Sequence, residues 1–338
     1  MEAQFDLFNG KTILLTGGTG SFGKHFTRTV LDRARPAAIR VYSRDELKQH
    51  DMAQDIPDDR LRFMIGDVRD ASRLRRAMEG ADIVVHAAAL KHVPACEYNP
   101  FEAIKTNILG AQNVAEAAID TGVPRVIALS TDKAVGPANL YGATKLCAEK
   151  LFVQSNVYAG PRPTRLACVR YGNVVASRGS VIPVFLEQRS RGHLTITDAR
   201  MTRFWISLDQ AVAFVTNSIA WMRGGEVFVP KLPSMRVVDL AEAIAPGLPV
   251  RYTGIRPGEK LHESLLTADE ARHTGDCGDH YEIEPEHPFW SEPETATPRL
   301  PDGFSYTSDS NDNWLDVAAL RQMIGGAQPE DWTDLATG

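Results

Sequence analysis

Between Ser130 and Lys145 the chain places an acid, a phenol and two amines: Asp132, Lys133, Tyr141 and Lys145. Tyr141 and Lys145 are four residues apart, so on a helix they share one face. An ammonium near a phenol favours the phenolate and lowers its pKa. That makes Tyr141 a candidate general base near neutral pH. Asp132-Lys133, just after an apolar run, offers more than a simple hydride transfer needs. To act as an acid–base pair, Asp132 must be protonated, which burial favours. Lys133 must be neutral, which burial or a nearby cation such as Lys145 would favour. The plain alternative is an Asp-Lys turn with both charges solvated.

A second constellation is Thr16-Gly17-Gly18-Thr19-Gly20-Ser21-Phe22-Gly23. It follows an apolar run and opens an amphipathic one, the context that separates a dinucleotide fingerprint from a chance glycine cluster. Glycines allow a tight turn and close approach to a pyrophosphate, and the helix start offers unpaired N–H groups. The next apolar run ends Tyr42-Ser43-Arg44-Asp45-Glu46-Leu47-Lys48. Arg44, with Ser43 and Lys48, suits a 2′-phosphate and points to NADP. Alternatively, Arg44 and Lys48 solvate the next helix and Asp45 caps it. Asp67-Val68 either meets an adenine edge or starts the following helix with Asp67 as cap. His86-Ala87-Ala88-Ala89 ends in small residues, which lets a cofactor or a helix lie close.

Repeated strand–helix alternation must position these groups. Short apolar runs predict strands at Thr12–Thr16, Ala38–Tyr42, Leu61–Ile65, Asp82–His86, Arg125–Ser130 and Leu166–Arg170. Ser21–Arg33, Asn107–Thr121 and Tyr141–Val157 read as helices between them. The pattern predicts an α/β fold, a Rossmann-like doubly wound parallel sheet. After Asn173 the alternation loosens, although Val227–Val229 reads as a short strand and Arg236–Ile244 as a helix. The expectation is a nucleotide-binding domain over 1–175 and a smaller C-terminal substrate domain or lid over 176–338, with the chain free to cross back. Glu263–Pro301 reads as polar loop.

The chain has 338 residues, 43% of them hydrophobic, enough for a packed core. Net charge is −6, with Lys and Arg dispersed rather than in a stripe. That argues against a nucleic-acid partner. Cys96, Cys147, Cys168 and Cys277 show no metal-ligand spacing and read as reduced thiols. His273, Cys277 and His280 fall in a polar segment that reads as loop, so no metal site is expected. Neither a leader nor an apolar run of membrane-spanning length is visible. A cytoplasmic protein with no membrane partner is expected.

The Gly-rich turn, strand-end Ser130 and Tyr141-x-x-x-Lys145 together resemble the extended short-chain dehydrogenase/reductase family. Gly66-Asp-Val-Arg-Asp70, Ala89-Leu-Lys-His-Val-Pro94, Ser130-Thr-Asp-Lys-Ala134 and Arg170-Tyr-Gly-Asn-Val174 narrow the resemblance. So do Met201-Thr-Arg-Phe-Trp205 and Arg256-Pro-Gly-Glu-Lys260. Together they resemble the inverting UDP-N-acetylglucosamine 4,6-dehydratases, which begin pseudaminic acid synthesis. The likeness runs through Gly303–Asp309. It weakens over Glu282–Arg299, and Ala134–Ala138 is less typical.

The resemblance implies that Tyr141, with Lys145, removes the C4 hydroxyl proton while the C4 hydride moves to NADP. Lys133 then takes the C5 proton and Asp132 protonates the departing C6 hydroxyl. Hydride return to C6 closes a cycle without net redox. Lys91, Leu129, Ser130 and Val174 would join Ala87 along the cofactor. Lys91, Asn173, Thr195, Arg256 and Glu259 would face the UDP-N-acetylglucosamine substrate, although Pro257-Gly258 alone could be a plain turn. A homo-oligomer is implied as well. The rivals are a retaining 4,6-dehydratase, a nucleotide-sugar 4-epimerase, which needs no Asp-Lys pair, and an NADP-sensing binding protein.

Overall fold

A computed structural model describes residues 3–175, 181–290 and 297–325. Parts of the expected lid and of the Glu263–Pro301 loop lie outside the described residues.

The apolar runs form parallel strands: β1 (Thr12–Thr16), β2 (Ala38–Ser43), β3 (Leu61–Ile65), β4 (Ile83–His86), β5 (Arg125–Leu129) and β6 (Arg165–Val169). Ile13, Leu14, Leu15, Val84, Val85, Val126 and Ile127 are all fully or almost fully buried. Such two-sided burial explains why these strands read as continuous apolar runs. Between them run α1 (Ser21–Arg33), α2 (Glu46–Asp55), α3 (Ala71–Met78), α4 (Val93–Tyr98), α5 (Pro100–Ile104), α6 (Gly110–Thr121) and α7 (Leu140–Gln154). Asp45 caps α2 through the Lys48 amide, and Asp70 caps α3 through that of Arg73. Asp70, not Asp67, therefore starts α3.

Later strands are β7 (Asn173–Val174), β8 (Leu194–Ile196), β9 (Thr202–Ile206), β10 (Val227–Pro230), β11 (Ser234–Arg236), β12 (Val250–Tyr252), β13 (Ser264–Leu266), β14 (Thr274–Asp276), β15 (His280–Ile283) and β16 (Tyr306–Thr307). Three of them return to the first sheet, whose order is β14-β15-β10-β6-β5-β4-β1-β2-β3. β10 pairs parallel with β6, while β15 and β14 add antiparallel. Strands are thus added on one side of β1 as far as β3 and on its other side from β4 onward. That switch point is where open α/β sheets bind ligands. A smaller cluster around Phe185, Trp205, Met235 and Leu240 carries β8, β11 and one face of β9, while Leu265, Leu266 and Tyr306 of the β13–β16 pair pack in the main core.

Within the segment expected as loop, Thr274–Ile283 is instead the β14–β15 hairpin, with His280 in β15 and Cys277 in the turn between the strands. Edge strands tolerate polar residues, so composition hid it. The hairpin brings ligand atoms of Cys277, His280 and Glu282 within 4.8 Å of one another. Glu282 pairs with Arg223, and His280 Nδ1 pairs with Asp279 at 2.6 Å. Burial, the first cause, and the carboxylates around it push the Cys277 thiol up to about 11, away from the thiolate a metal needs. Among the described residues, no helix is long and apolar enough to cross a membrane.

Candidate active site

The Gly-rich turn joins β1 to α1. Gly17 has φ +68°, and a Cβ there would lie 2.8 Å from Ala88 backbone atoms. A Cβ on Gly23 would lie 2.3 Å from the Gly18 carbonyl oxygen. Both positions therefore require glycine, one for the turn and one for packing α1 against the loop. Gly20 occupies the N-cap of α1 and supplies no side-chain cap to the first turn. Such a glycine cradle and uncapped helix start fit a dinucleotide pyrophosphate. Thr19 is buried in the same turn.

Thr16 stitches the turn to β4. Its Oγ1 lies 2.7 Å from His86 Nδ1 and accepts from the Ala88 amide, while the Ala87 amide donates to the Thr16 carbonyl. At the end of β2, Arg44 is exposed and lies 3.6 Å from Asp67. Lys48 pairs with Asp45 at 3.1 Å, and Ser43 Oγ accepts from Gln49. Asp67 also takes three hydrogen bonds from Arg69. Burial raises its carboxyl, but Arg69 and Arg44 win and hold it below the usual carboxylate range. Val68 is buried, its carbonyl held by Asn113.

Beyond β5, a single 3-10 turn carries Asp132, Lys133 and Ala134. Asp132 is fully buried, and its Oδ1 accepts from Thr131 at 2.8 Å and from Lys133 Nζ at 2.9 Å. Its Oδ2 has no hydrogen-bond partner among the described residues. Neither do the buried side-chain oxygens Ser130 Oγ and Asn173 Oδ1. Unpartnered buried polar atoms are few, and although Thr27, Thr106, Trp205 and Thr216 carry others, Ser130 and Asp132 place two within three residues. The pair is therefore a close ion pair rather than a solvated turn.

Lys133 corrects the expected direction. Burial lowers its ammonium pKa, but the Asp132 and Glu263 carboxylates outweigh burial and raise it. Arg203 is the cation that opposes this rise, whereas Lys145 points elsewhere. Lys145 Nζ donates to the Leu129 carbonyl at 2.6 Å, at the end of β5. Burial lowers its own pKa. Tyr141, one turn earlier on α7, is pushed up to about 12, chiefly by burial. The cation that opposes this is Lys133, not Lys145, assisted by a hydrogen bond with Thr131. The phenol is thus held protonated at neutral pH by the protein alone, contrary to the expectation from the four-residue spacing.

Asn139 caps α7 through the Gly142 amide at 2.8 Å, which sets where Tyr141 begins. Its Nδ2 donates to the Gly258 carbonyl at 2.8 Å. That bond docks the turn Arg256–Glu259, closed by the Glu259 amide on the Arg256 carbonyl. The plain-turn reading of Pro257-Gly258 is therefore correct for the backbone, and Gly258 has φ +75°. The turn nonetheless lies against α7. Arg256 is exposed, and Glu259 lies 3.8 Å from Arg203. Lys91 is exposed on the segment after β4, and Val174 is half-buried beside Asn173 on β7. Thr195 stands apart: both its hydroxyl and its amide bond to Gln188.

Four residues of this cluster escape sequence reasoning: Thr131, Asn139, Arg203 and Glu263. Arg203 and Glu263 are buried beside Lys133 from distant segments. A separate cavity lined by Glu149, Arg170, Glu270 and His273 contains none of the expected site residues.

A family model described as polysaccharide biosynthesis protein matches residues 13–285. The chain is 51% identical over 328 residues to the UDP-N-acetylglucosamine 4,6-dehydratase (inverting) of Campylobacter jejuni, covering 94% of this chain and 98% of that protein. It is 45% identical over 289 residues to a UDP-glucose 4-epimerase of Rickettsia canadensis, covering 82% and 84%. Among solved structures, DesIV, a dTDP-glucose 4,6-dehydratase from Streptomyces venezuelae with NAD and TYD bound, matches with a TM-score of 0.66. That match has 26% identity and covers 74% of this chain and 86% of DesIV. The Gly-rich turn at a sheet switch point, the Tyr141–Lys145 helix and these likenesses agree: the chain belongs to the polysaccharide biosynthesis family of extended short-chain dehydrogenases/reductases.

Proposed function

We propose that the protein is an NADP-dependent UDP-N-acetylglucosamine 4,6-dehydratase that inverts C5. The observation that carries this reading is the buried Asp132, hydrogen-bonded to Lys133 beside Tyr141. Oxidation at C4 alone, as in a 4-epimerase, has no use for such a pair. A bound nicotinamide would take a hydride from sugar C4 and later return it to C6, whereupon C5 would take a proton from water on the face opposite the one that lost it and Tyr141 would release its proton to water. Tyr141 would accept the C4 hydroxyl proton as the phenolate, a form that the positive charge of an oxidised nicotinamide would favour over the protonated phenol seen with the protein alone. The resulting ketone acidifies C5–H, because the carbanion is an enolate. Lys133 takes the C5 proton, and Asp132 gives a proton to the C6 hydroxyl as the C6–O bond breaks and water leaves.

The 2.9 Å contact between Lys133 Nζ and Asp132 Oδ1 fits the end of that step, at which Lys133 would have gained a proton and Asp132 lost one. Moving one proton from Nζ to Oδ1 restores the neutral amine and the acid without exchange with solvent. A pair that begins and ends with one proton removes the need for two independently perturbed groups.

Ser21, Phe22 and Gly23 at the start of α1 would hold the pyrophosphate, with Gly17, Thr19 and Gly20 forming the turn. Exposed Arg44, with Lys48 and Ser43, supports NADP through a 2′-phosphate contact. Asp67 and Val68 would flank the adenine, with Ala87, Lys91, Leu129, Ser130, Lys145 and Val174 along the nicotinamide. Asn173, Arg256, Glu259 and Lys91 would contact the sugar nucleotide, and Thr195 the uracil side. Exposed Tyr98 and Phe101 on α4 and α5 support a homo-oligomer, which would work in the cytoplasm. The product would enter pseudaminic acid synthesis.

Mass spectrometry after incubation with UDP-N-acetylglucosamine tests the reaction class. Loss of one water supports a dehydratase. A product of unchanged mass that is the 4-epimer would replace this reading.

A further inference from the structure

Glu263 is a buried carboxylate that the fold does not need for its own backbone. Its amide donates to Ser308 Oγ at 2.9 Å, and its carbonyl accepts from the Ser308 amide at 2.8 Å. The main chain before β13 is thus pinned on both sides. The side chain is 3% exposed, and its Oε2 has no hydrogen-bond partner among the described residues. Its carboxylate lies 3.6 Å from Lys133 Nζ, 3.8 Å from Arg203 Nε and 3.9 Å from Lys260 Nζ. Arg203 and Lys260 are held elsewhere. Arg203 donates to the carbonyls of Thr202, Lys260 and Leu261, and Lys260 donates to that of Val135 at 2.5 Å. Burying a carboxylate without hydrogen bonds is costly. Its neighbourhood shows where its charge acts: on Lys133, whose other acidic partner is Asp132.

We propose that Glu263 is a positioning residue that acts through Lys133, its charge keeping the Asp132–Lys133 pair at one shared proton across the working pH range. This rests on the acid–base reading of that pair. With one proton, the pair can shuttle between its spent and ready forms. With none, Asp132 cannot protonate the leaving hydroxyl; with two, Lys133 cannot take the C5 proton. A negative charge alongside raises the proton affinity of both members, so both limits move to higher pH.

The groups facing the pair are Glu263 and Lys260 from the segment leading into β13, Arg203 from β9, and Tyr141 from α7. Glu259 reaches the same cluster through Arg203. Directions agree with this geometry. Glu263 is among the groups that raise Lys133. Burial, first, and then Asp132 raise the Glu263 carboxyl above its ordinary value, and Lys133, Arg203 and Lys260 only partly offset this.

The test is competitive labelling of Lys133 with trace acetic anhydride as a function of pH, read by mass spectrometry. It needs no substrate. In the unmodified chain the midpoint should lie above that of a free lysine amine, about 10.4. Glu263→Gln should lower the Lys133 midpoint by about one pH unit or more. Glu263→Asp, with the charge drawn back, should fall between them. Where turnover is measured, both limbs of the kcat profile should shift to lower pH in Glu263→Gln, with KM little changed. An unmodified-chain midpoint below that of free lysine would overturn the proposal. So would unmoved limbs or an unmoved midpoint in folded Glu263→Gln. If the midpoint shifts as expected but the unmodified chain leaves UDP-N-acetylglucosamine unchanged, Glu263 keeps its role toward Lys133 and the dehydratase reading falls.

Discussion

Asn139 and Gly258 join the helix bearing Tyr141 to a turn 119 residues later, through a hydrogen bond of 2.8 Å. The same Asn139 amide caps α7 with its oxygen. One side chain therefore fixes both the start of α7 and the docking of Arg256–Glu259. Asn139→Ala should lose about 1 kcal/mol from the cap. It should also raise KM for the sugar nucleotide several-fold while leaving cofactor affinity unchanged. Urea unfolding and steady-state kinetics check the two effects separately.

Asp132→Asn and Lys133→Ala should each abolish water loss and still bind the dinucleotide. Cofactor titration by fluorescence, run beside a product assay, separates binding from chemistry. Turnover like that of the unmodified chain in either variant would remove that residue from the proposed pair.

Arg44 reaches Asp67 across the end of β2. Arg44→Ala should raise the Kd for NADP at least tenfold and that for NAD much less. Removing a guanidinium–phosphate contact of this kind accounts for about 1.5–3 kcal/mol. Calorimetric titration with each dinucleotide decides it, and equal changes would leave cofactor choice to another residue.

His86 makes stability fall in acid. It is buried between β1 and β5, hydrogen-bonded to Thr16 and stacked on Phe152. Burial, then Lys145, lowers its pKa to about 3. The unfolded chain therefore binds the proton more tightly, and stability is lost as pH falls below about 6.5. Between pH 7 and pH 5 the loss from this group is about 2 kcal/mol. Urea unfolding at the two pH values should show this component in the unmodified chain and not in His86→Gln.

Arg170 joins Glu149 on α7 to Glu270, with all three groups largely removed from water. Arg170→Ala leaves two carboxylates without their cation and should destabilise the chain by about 3–5 kcal/mol. Denaturation midpoints measure this. A change below about 1 kcal/mol would show that the carboxylates take up protons or water at little cost.

Legibility followed locality. Ile13–Leu15 and Val84–Val85 are buried on both faces of a parallel sheet, so their runs betrayed the strands directly. Ser21–Arg33 was legible because glycine before it and apolar periodicity within it coincide. The helix expected from Asn107 starts instead at Gly110, after a π-helical turn over Lys105–Leu109. Asn107 there bonds to Leu90 and Thr144, contacts that local spacing does not encode. The same holds in the site. Asp132, Lys133 and Tyr141 lie close in sequence and were found by type. Glu263 and Arg203 arrive from seventy or more residues away, so their effect on Lys133 needed the fold. Lys145 shows the converse: its position on the Tyr141 face was legible, but its partner, the Leu129 carbonyl, was not.

The most direct test is incubation with UDP-N-acetylglucosamine in deuterated water, followed by proton NMR of the product. The account predicts a UDP-2-acetamido-2,6-dideoxy-4-hexulose with solvent deuterium at C5 and inverted C5 configuration. A product with retained C5, or one that keeps its C6 hydroxyl, would contradict it.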